Sequence, residues 1–165
     1  MEGRVYLVNL TKYTEGIPAG EWFSLPIDEE EVRRRMRAYG ECNEIVVHDF
    51  NLPFRINEYI SLKELNWEWE LANDLPEELQ KELSVLLEWF HSVEELSNQQ
   101  ENLVFYEGIQ DMEELAIRYV EEMGYLEQIP EKLRHCIDYV ALGEQMETEG
   151  NFLFGKTGIF EVLRS

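Results

Sequence analysis

The fold is decided by residues 61–103, SLKELNWEWELANDLPEELQKELSVLLEWFHSVEELSNQQENL. Three times in this stretch a serine or aspartate, residues that commonly cap helices, is followed three positions later by glutamate. This capping-box spacing marks the first turn of a helix, because each side chain can bond a backbone N–H of the other residue. The three pairs are Ser61 with Glu64, Asp74 with Glu77, and Ser92 with Glu95. We therefore predict three consecutive short helices, the second with Pro76 in its first turn.

The predicted helices separate apolar from acidic residues. On the second helix, leucines and one phenylalanine recur at helical spacing and form a single apolar face. Glutamates occupy the other side and continue onto the third helix. Acidic residues on successive short helices around a small apolar centre would form a rigid ridge of carboxylates. The apolar face consists of Leu79, Leu83, Leu86, Leu87 and Phe90.

This segment belongs to a chain with a large negative charge. The 165 residues carry 35 Asp and Glu against 14 Lys and Arg, a formal net charge of −21, whereas about 2–8 net charges suffice to keep a small domain soluble. Residues 1–60 carry a net −4, residues 61–103 a net −9 and residues 104–165 a net −8. Such asymmetry indicates modules with different tasks.

Composition limits the class of protein. With 44% hydrophobic residues, the chain has enough core material to fold and is not an acidic disordered tail. We expect a soluble, cytoplasmic protein, because the sequence shows no basic-apolar leader and no apolar run of about 18–20 residues. Binding to nucleic acid, anionic membranes or ATP is disfavoured, since affinity for phosphates comes mainly from Lys and Arg. Cys42 and Cys136 are expected to be free, buried thiols.

The N-terminal segment predicts three strands and one helix. The strands are Val5–Leu10, Trp22–Leu25 and Ile45–Val47. The helix begins at Asp28, which forms a capping-box pair with Glu31, and its apolar face is Val32, Met36 and Tyr39 before Gly40.

Four arginines, Arg33 to Arg35 and Arg37, lie on this helix and resemble a nucleic-acid patch. Glu29, Glu30 and Glu31 precede the first three by four residues, the favourable orientation for ion pairs on a helix. A self-neutralised helix face is therefore the preferred interpretation, and a functional basic patch is the alternative.

The C-terminal segment predicts a strand, two helices and a hairpin. The strand is Leu103–Tyr106. Asp111 with Glu114 predicts one helix, and Pro130 begins the other. The first helix carries Leu115, Tyr119 and Met123 and stops at Gly124; the second runs through Leu133, Ile137 and Val140; Phe152–Phe154 and Ile159–Val162 form the hairpin across Gly155 and Gly158. The predicted fold is α+β in an elongated chain of three small modules: a three-stranded sheet with a helix at 1–60, an acidic helical module at 61–103 and an α+β module at 104–165.

The sequence contains patterns that resemble catalytic or cofactor-binding motifs, but each lacks a feature that its chemistry requires. Residues 150–157, GNFLFGKT, match the P-loop pattern, but Phe-Leu-Phe favours a strand and only eight residues follow Thr157, too few for the required helix. His48, His91 and His135 lack the spacing of a zinc site. A hydrolase constellation among so many acids is neither supported nor excluded. We expect no cofactor, no metal and no catalytic residue, hence not an enzyme.

The charge suggests a different function. B-DNA carries about one negative charge per 1.7 Å, so 21 charges correspond to roughly 36 Å of duplex, and a two-fold dimer to roughly 70 Å. Carboxylates held in a fixed arrangement could occupy a DNA-binding channel lined with Lys and Arg. The hypothesis is a DNA mimic that competes for a DNA-binding enzyme. The alternatives are an acidic adaptor or chaperone that binds a basic protein without mimicry, and a salt-adapted surface, which would spread its acidity evenly.

Several fragments along the chain are similar to the ArdA family of antirestriction proteins, which conjugative elements carry. They are Val5–Leu10 with Lys12-Tyr13 and Glu15-Gly16; Gly20–Phe23; His48–Phe54; Leu75–Leu79; and Asp138-Tyr139 with Ala141 and Gly143. The resemblance implies a non-catalytic DNA mimic, an elongated homodimer that blocks type I restriction-modification enzymes by occupying the DNA site of the methyltransferase core.

The resemblance also suggests where function resides. It places the antirestriction motif and the dimer contact in the last module, at Glu121, Glu122, Gly124, Tyr125, Leu126 and Pro130, with Tyr139 and Val140 as candidate dimer residues. The expected mimic surface is formed by carboxylates of the middle module and the start of the last. These are Glu68, Glu70, Asp74, Glu77, Glu78, Glu82, Glu88, Glu94, Glu95, Glu101, Asp111 and Glu114.

Overall fold

The computed structural model describes residues 1–38 and 44–163. These residues form a mixture of helices and two small antiparallel sheets, which confirms the predicted α+β class. The chain divides into two compact units, residues 1–97 and 98–165. The finer division into three modules stays a prediction. The predicted helix end at Tyr39 and Gly40, and Cys42, lie outside the described residues.

Three antiparallel strands form the sheet of the first unit, in the order β2-β1-β3. They are β1 (Arg4–Asn9), β2 (Gly20–Ser24) and β3 (Ile45–Asn51). The three predicted strands are thus confirmed, although β3 continues beyond Val47. Tyr6 is opposite Asp49 while Leu7 is opposite Val47, so His48 is the extra residue of a β-bulge.

Six helices occur among the described residues 1–38 and 44–99. They are α1 (Leu10–Thr14), α2 (Glu29–Arg35), α3 (Leu62–Asp74), α4 (Glu77–Lys81), α5 (Leu83–Trp89) and α6 (Val93–Gln99). The first of these was not predicted. It begins where the side chain of Asn9 accepts a hydrogen bond from the backbone N–H of Lys12, a cap placed directly after a strand.

One face of the first sheet packs on helices. Buried side chains of all three strands, among them Val5, Phe23 and Val47, form one core with Val32 of α2 and Leu65 of α3. Because burial of apolar surface is the main favourable term in folding, this core fixes the start of the acidic helices against the N-terminal sheet.

Two of the three arginines of α2, Arg33 and Arg35, are paired with glutamates of the same unit. The Glu29 and Glu31 carboxylates pair with Arg33 (3.9 Å) and Arg35 (3.1 Å) one turn on. Arg35 also pairs with Glu21 and lies 4.4 Å above the ring centroid of Phe23. The carboxylates of Glu21 and Glu31 raise the pKa of Arg35. These contacts confirm two of the three predicted pairs, whereas Glu30 and Arg34 form no ion pair among the described residues.

Two of the three capping predictions in residues 61–103 are confirmed. Ser61 Oγ accepts from the N–H of Glu64, and Glu64 Oε2 accepts from the N–H of Ser61, each at 3.1 Å. Ser61 Oγ also lies 2.8 Å from Glu64 Oε2, and the hydrogen bonds from the Ser61 hydroxyl and backbone N–H to this carboxylate lower the pKa of Glu64. Ser92 Oγ accepts from the N–H of Glu95 at 3.0 Å. Both helices therefore begin where the sequence predicts.

The prediction that Asp74 caps the second helix is wrong. Asp74 is the last residue of α3, and Pro76 precedes the first turn of α4 without a side-chain cap. Leu75 is extended, with ψ of 150°, because a residue that precedes proline is disfavoured in the α region. The predicted second helix is also divided, since Glu82 leaves helical geometry with φ of −117° between α4 and α5.

The second unit contains a sheet of order β4-β6-β5. Its elements are β4 (Leu103–Glu107), α7 (Met112–Glu122), α8 (Tyr125–Gln128), α9 (Tyr139–Glu149), β5 (Phe152–Phe154) and β6 (Gly158–Val162). The strand at 103 and the C-terminal hairpin are confirmed. Residues Gly158–Val162 form a strand and not a helix, so the helix that a P-loop requires does not follow Lys156.

Two details of the predicted helices in this unit are wrong. The buried residues of α7 are Met112, Leu115, Ala116 and Val120, whereas Tyr119 and Met123 are exposed. Pro130 is followed by a 3-10 turn at Glu131–Cys136, and an independent helix, α9, begins after Asp138. Cys136 is exposed, not buried.

The α7 and α9 helices approach closely at Gly143. A Cβ atom at this position would lie 2.6 Å from the carbonyl oxygen of Met112, too close for any larger residue. The core beneath them joins Met112 and Leu115 to Ile159 of β6, and Phe105 stacks on Phe160 with ring centroids 4.5 Å apart. These contacts hold α7 and α9 against the second sheet.

Candidate acidic binding surface

Nine of the twelve carboxylates predicted for the mimic surface are exposed. The two compact units share them. Glu70, Asp74, Glu77, Glu78, Glu88 and Glu94 lie in the first unit, and Glu101, Asp111 and Glu114 lie in the second. The helices α3 to α6 thus display carboxylates to solvent from several successive turns.

Glu82 does not belong to this surface. Only 1% of its surface is exposed, because the break between α4 and α5 turns it inward, between Leu79 and Leu83, which are also buried. A carboxylate in this position cannot meet the side chains of a partner. The prediction that placed Glu82 among the exposed acids is therefore wrong.

Glu68 and Glu95 are half-buried. Burial raises the pKa of Glu68, and the negative charges of Glu64 and Glu94 raise it further. Glu95 Oε2 accepts a hydrogen bond from the backbone N–H of His91 at 2.9 Å. Glu68 is thus one of three carboxylates, from α3 and α6, that are close enough to repel one another.

Little of the exposed negative charge on these helices is compensated. Residues 61–103 contain two bases, Lys63 and Lys81, against 11 acids. Lys81 Nζ lies 2.7 Å from Glu77 Oε1, and this pairing lowers the pKa of Glu77. Since both side chains are more than half exposed, the ion pair is screened by water.

In the second unit, the exposed side chains of Asp111 and Glu114 also form hydrogen bonds at the start of a helix. Asp111 Oδ1 accepts from the backbone N–H of Glu114 at 2.9 Å, and Glu114 Oε2 accepts from the N–H of Gln110 at 3.0 Å. Both carboxylates thus lie at the N-terminus of α7, where negative charge is stabilised by the helix dipole.

The residues of the predicted antirestriction motif lie at the end of α7 and in α8. Glu121 and Glu122 end α7 and Gly124 turns the chain in the left-handed region, with φ of 67°. Tyr125 begins α8 and its ring packs edge-on against Tyr119, with the hydroxyl oxygens 3.3 Å apart. The motif also includes Leu126, half-buried on α8, and Pro130, exposed before the 3-10 turn.

The candidate dimer residues lie in the first turn of α9. Asp138 caps this helix by accepting a hydrogen bond from the N–H of Ala141. Tyr139 is half-buried, whereas 51% of Val140 is exposed. An exposed valine is available for a contact between subunits, but the dimer stays a prediction.

Exposed aromatic residues among the acids were missed by the sequence analysis. Tyr59, Trp67 and Trp89 are 71%, 45% and 42% exposed. A signal was available, since Leu65 and Trp69 share the buried stripe of α3 and a residue two positions before Trp69 points elsewhere. Trp67 is consequently exposed beside Glu68.

Two adjoining cavities in the first unit share Arg55 and Glu68 in their walls, and we call them together the α3–α6 groove. The larger half, about 570 Å³, has an apolar wall that includes Phe54 and Leu87, beside polar residues such as Glu88 and His91. The acidic half, about 490 Å³, includes Trp67 and the carboxylates that surround Glu68. The groove therefore joins an apolar wall to an acidic and aromatic one.

Neither a group of metal ligands nor a membrane-spanning helix occurs in the part of the chain that the structure describes. Within residues 1–38 and 44–163, no three His, Cys, Asp or Glu side chains are grouped so as to hold a metal ion. In the same residues no helix has both the length and the apolar character that crossing a membrane requires.

The fold and its exposed helices define an acidic α+β protein that displays carboxylates on a rigid framework. Residues 5–161 match the family described as antirestriction protein (ArdA). The chain therefore belongs to the ArdA family of antirestriction proteins, an inhibitor family and not a catalytic one. No match was found among curated proteins. Family membership implies that the chain acts on restriction-modification enzymes.

Proposed function

We propose that this protein is a DNA mimic that inhibits type I restriction-modification enzymes by occupying the DNA site of their methyltransferase core. The observation that supports the proposal most directly is the display of exposed carboxylates along α3 to α6, with few bases among them. Helices pinned by caps and by a buried core hold such charges in fixed positions. A channel lined with Lys and Arg could bind them as it binds phosphates.

The proposed active species is a cytoplasmic homodimer. Tyr139 and Val140 are the proposed contact between subunits, and the motif at 121–130 belongs to the same compact unit. Two subunits would carry a net −42, twice the charge of one chain. A longer row of charges would fill more of an extended DNA channel.

Competition with DNA tests the mimicry. A tagged form of the protein should retain a purified type I methyltransferase core, and duplex DNA carrying the target site should displace it. Retention should weaken steeply with salt, because counterions are exchanged as they are when DNA binds. If the core stays bound at saturating duplex, the protein is an adaptor for a basic partner and not a mimic.

Charge reversal tests which surface is used. Lys substitutions at the six exposed acids of the first unit should abolish inhibition, while each single Glu→Gln change should cost no more than about 1 kcal/mol. The six positions are Glu70, Asp74, Glu77, Glu78, Glu88 and Glu94. Full inhibition by a folded variant with all six lysines would contradict the proposal.

A further inference from the structure

The α3–α6 groove offers a partner more than negative charge. A surface that only imitates phosphates needs carboxylates and no cavities. Here a half-buried carboxylate, Glu68, separates an apolar wall that includes Phe54 from an acidic wall that includes Trp67. Trp67 and Tyr59 are among the exposed aromatic residues of the protein, and both line the acidic half.

A guanidinium group suits the acidic half of the groove. Its charge is attracted to carboxylates, and its flat face stacks on aromatic rings. The first unit already uses this combination, since Arg35 pairs with Glu21 and Glu31 while lying over the ring of Phe23. The acidic half provides the same chemical groups, carboxylates and exposed rings, in a cavity open to solvent.

The carboxylates in this half are in an unfavourable arrangement without a cation. Burial and the charges of Glu64 and Glu94 raise the pKa of Glu68. Arg55 lines both halves of the groove, yet within the described residues it forms no ion pair. A cation placed among Glu64, Glu68 and Glu94 would therefore relieve repulsion that Arg55 leaves in place.

We propose that the α3–α6 groove receives a basic–apolar segment of a protein partner, with an arginine side chain against Trp67 and Glu68 and a neighbouring apolar side chain against Phe54 and Leu87. This inference rests on the proposed function for its partner, a type I methyltransferase core. It adds an anchor that DNA itself does not use. The anchor is less sensitive to salt than the rest of the surface, because apolar and stacking contacts are not screened.

Trp67 and Trp89 form a matched pair for testing the groove. Their exposed fractions are nearly equal, 45% and 42%, neither carries charge, and Trp89 is not part of the groove wall. Trp67→Ala should weaken binding to the methyltransferase core about tenfold, and most clearly at high salt. Trp89→Ala should change it less than about twofold. Equal losses, or no loss at Trp67, would overturn the proposal.

A peptide probe separates failure of the groove from failure of the proposed function. The wild-type protein is titrated with the capped dipeptide Leu-Arg and with its uncharged citrulline analogue, and the indole N–H resonances of the four tryptophans are followed by NMR. The Trp67 resonance should shift saturably with the arginine peptide only. The groove proposal fails if Trp67 does not respond or responds equally to both peptides, whether or not the methyltransferase core is inhibited.

Discussion

Glu82 lies between two short helices, and its side chain is buried in the interior. Its neighbours Leu79, Leu83 and Leu86 are buried with it. Its backbone oxygen accepts hydrogen bonds from the N–H groups of Val85 and Leu86, so the residue also joins α4 to α5. Replacing Glu82 by alanine leaves these backbone bonds in place but removes a buried side chain, and the resulting cavity among these leucines is costly.

We expect Glu82→Ala to lower the free energy of unfolding by about 2 kcal/mol. Glu78→Ala, which removes the same charge from an exposed position on α4, should change it by less than about 0.5 kcal/mol. Urea unfolding monitored by circular dichroism measures both. Equal stabilities of the two variants would show that Glu82 has no structural task.

Glu68 should make the protein less stable at neutral pH than it is in mild acid. Its pKa is raised in the folded state, by burial first and then by Glu64 and Glu94, so the folded state binds its proton more tightly than the unfolded state. Stability contributed by this proton is present below the ordinary glutamate pKa and is lost as the pH rises through the folded value.

Glu68→Gln should therefore raise the midpoint of thermal unfolding at pH 7, by an amount that corresponds to less than about 1 kcal/mol because the side chain is screened. The difference from the wild type should disappear in acid, where Glu68 is protonated. Glu70→Gln, at an exposed position on the same helix, is the control. If the increase in the unfolding midpoint persisted unchanged at acid pH, it would arise from better packing of the glutamine and not from removal of the negative charge.

Sequence patterns predicted which residues are acidic but not all of their surroundings. Charge and helix spacing identified the exposed row that includes Glu77 and Glu94. They could not place Glu82, because the inward turn depends on a backbone break that no proline or glycine marks. They also overlooked the exposed Trp67, which lines a cavity together with residues from the segment around Arg55. No local sequence pattern predicts that these two segments meet at one cavity.

At the scale of elements, capping residues determine where the acidic helices begin. The start of α3 has a complete capping box, because the side chains of Ser61 and Glu64 each accept a hydrogen bond from the backbone N–H of the other residue. We expect Ser61→Ala to cost about 1 kcal/mol of stability. Ser84→Ala, within α5, should be neutral, since alanine is favoured inside helices. Thermal unfolding of the two variants compares a cap with an ordinary helical serine.

The cap also has a pH dependence with a defined sign. The pKa of Glu64 is lowered by its bonds to Ser61, so the stability it contributes is present above the ordinary glutamate range and is lost as the pH falls through the folded value. The difference in the free energy of unfolding between the wild type and Ser61→Ala should therefore become smaller in acid. If this difference in unfolding free energy stayed constant from pH 7 to pH 3, the Glu64 carboxylate would not contribute to the cap as described.

Element boundaries were predictable where one residue controls them. Ser61 and Ser92 begin their helices as expected, whereas Asp74 does not, because the restriction that Pro76 imposes on Leu75 outweighs the capping preference of Asp74. That outcome could have been read from the sequence. The order β4-β6-β5 could not, since it depends on pairing Leu103 with Val162, residues that no local pattern connects.

At the scale of the whole molecule, the net charge of −21 and the positions of the charges make separate contributions. Net charge acts at a distance, accelerates encounter with a basic partner and is screened beyond about 10 Å at 0.1 M salt. The positions of individual carboxylates matter only at contact, because each carboxylate must then lie next to a particular Lys or Arg of the partner. A DNA mimic requires carboxylates at defined positions, whereas an acidic protein that only attracts basic partners requires no more than a large net charge.

Two variants with equal net charge distinguish these contributions. The first replaces four exposed glutamates of the proposed surface by glutamine, and the second replaces four exposed glutamates outside it. The first set is Glu70, Glu77, Glu78 and Glu94, and the second is Glu2, Glu15, Glu44 and Glu58. Each variant loses four negative charges, so any attraction by net charge is reduced equally.

We expect the first variant to bind a type I methyltransferase core at least about tenfold more weakly than the second, since several contact pairs of up to about 1 kcal/mol each are lost together. The slope of log affinity against log salt should also become shallower for the first variant alone, because fewer counterions are exchanged at the interface. Equal affinities and slopes would mean that net charge governs binding, and the carboxylates of α3 to α6 would then have no privileged role.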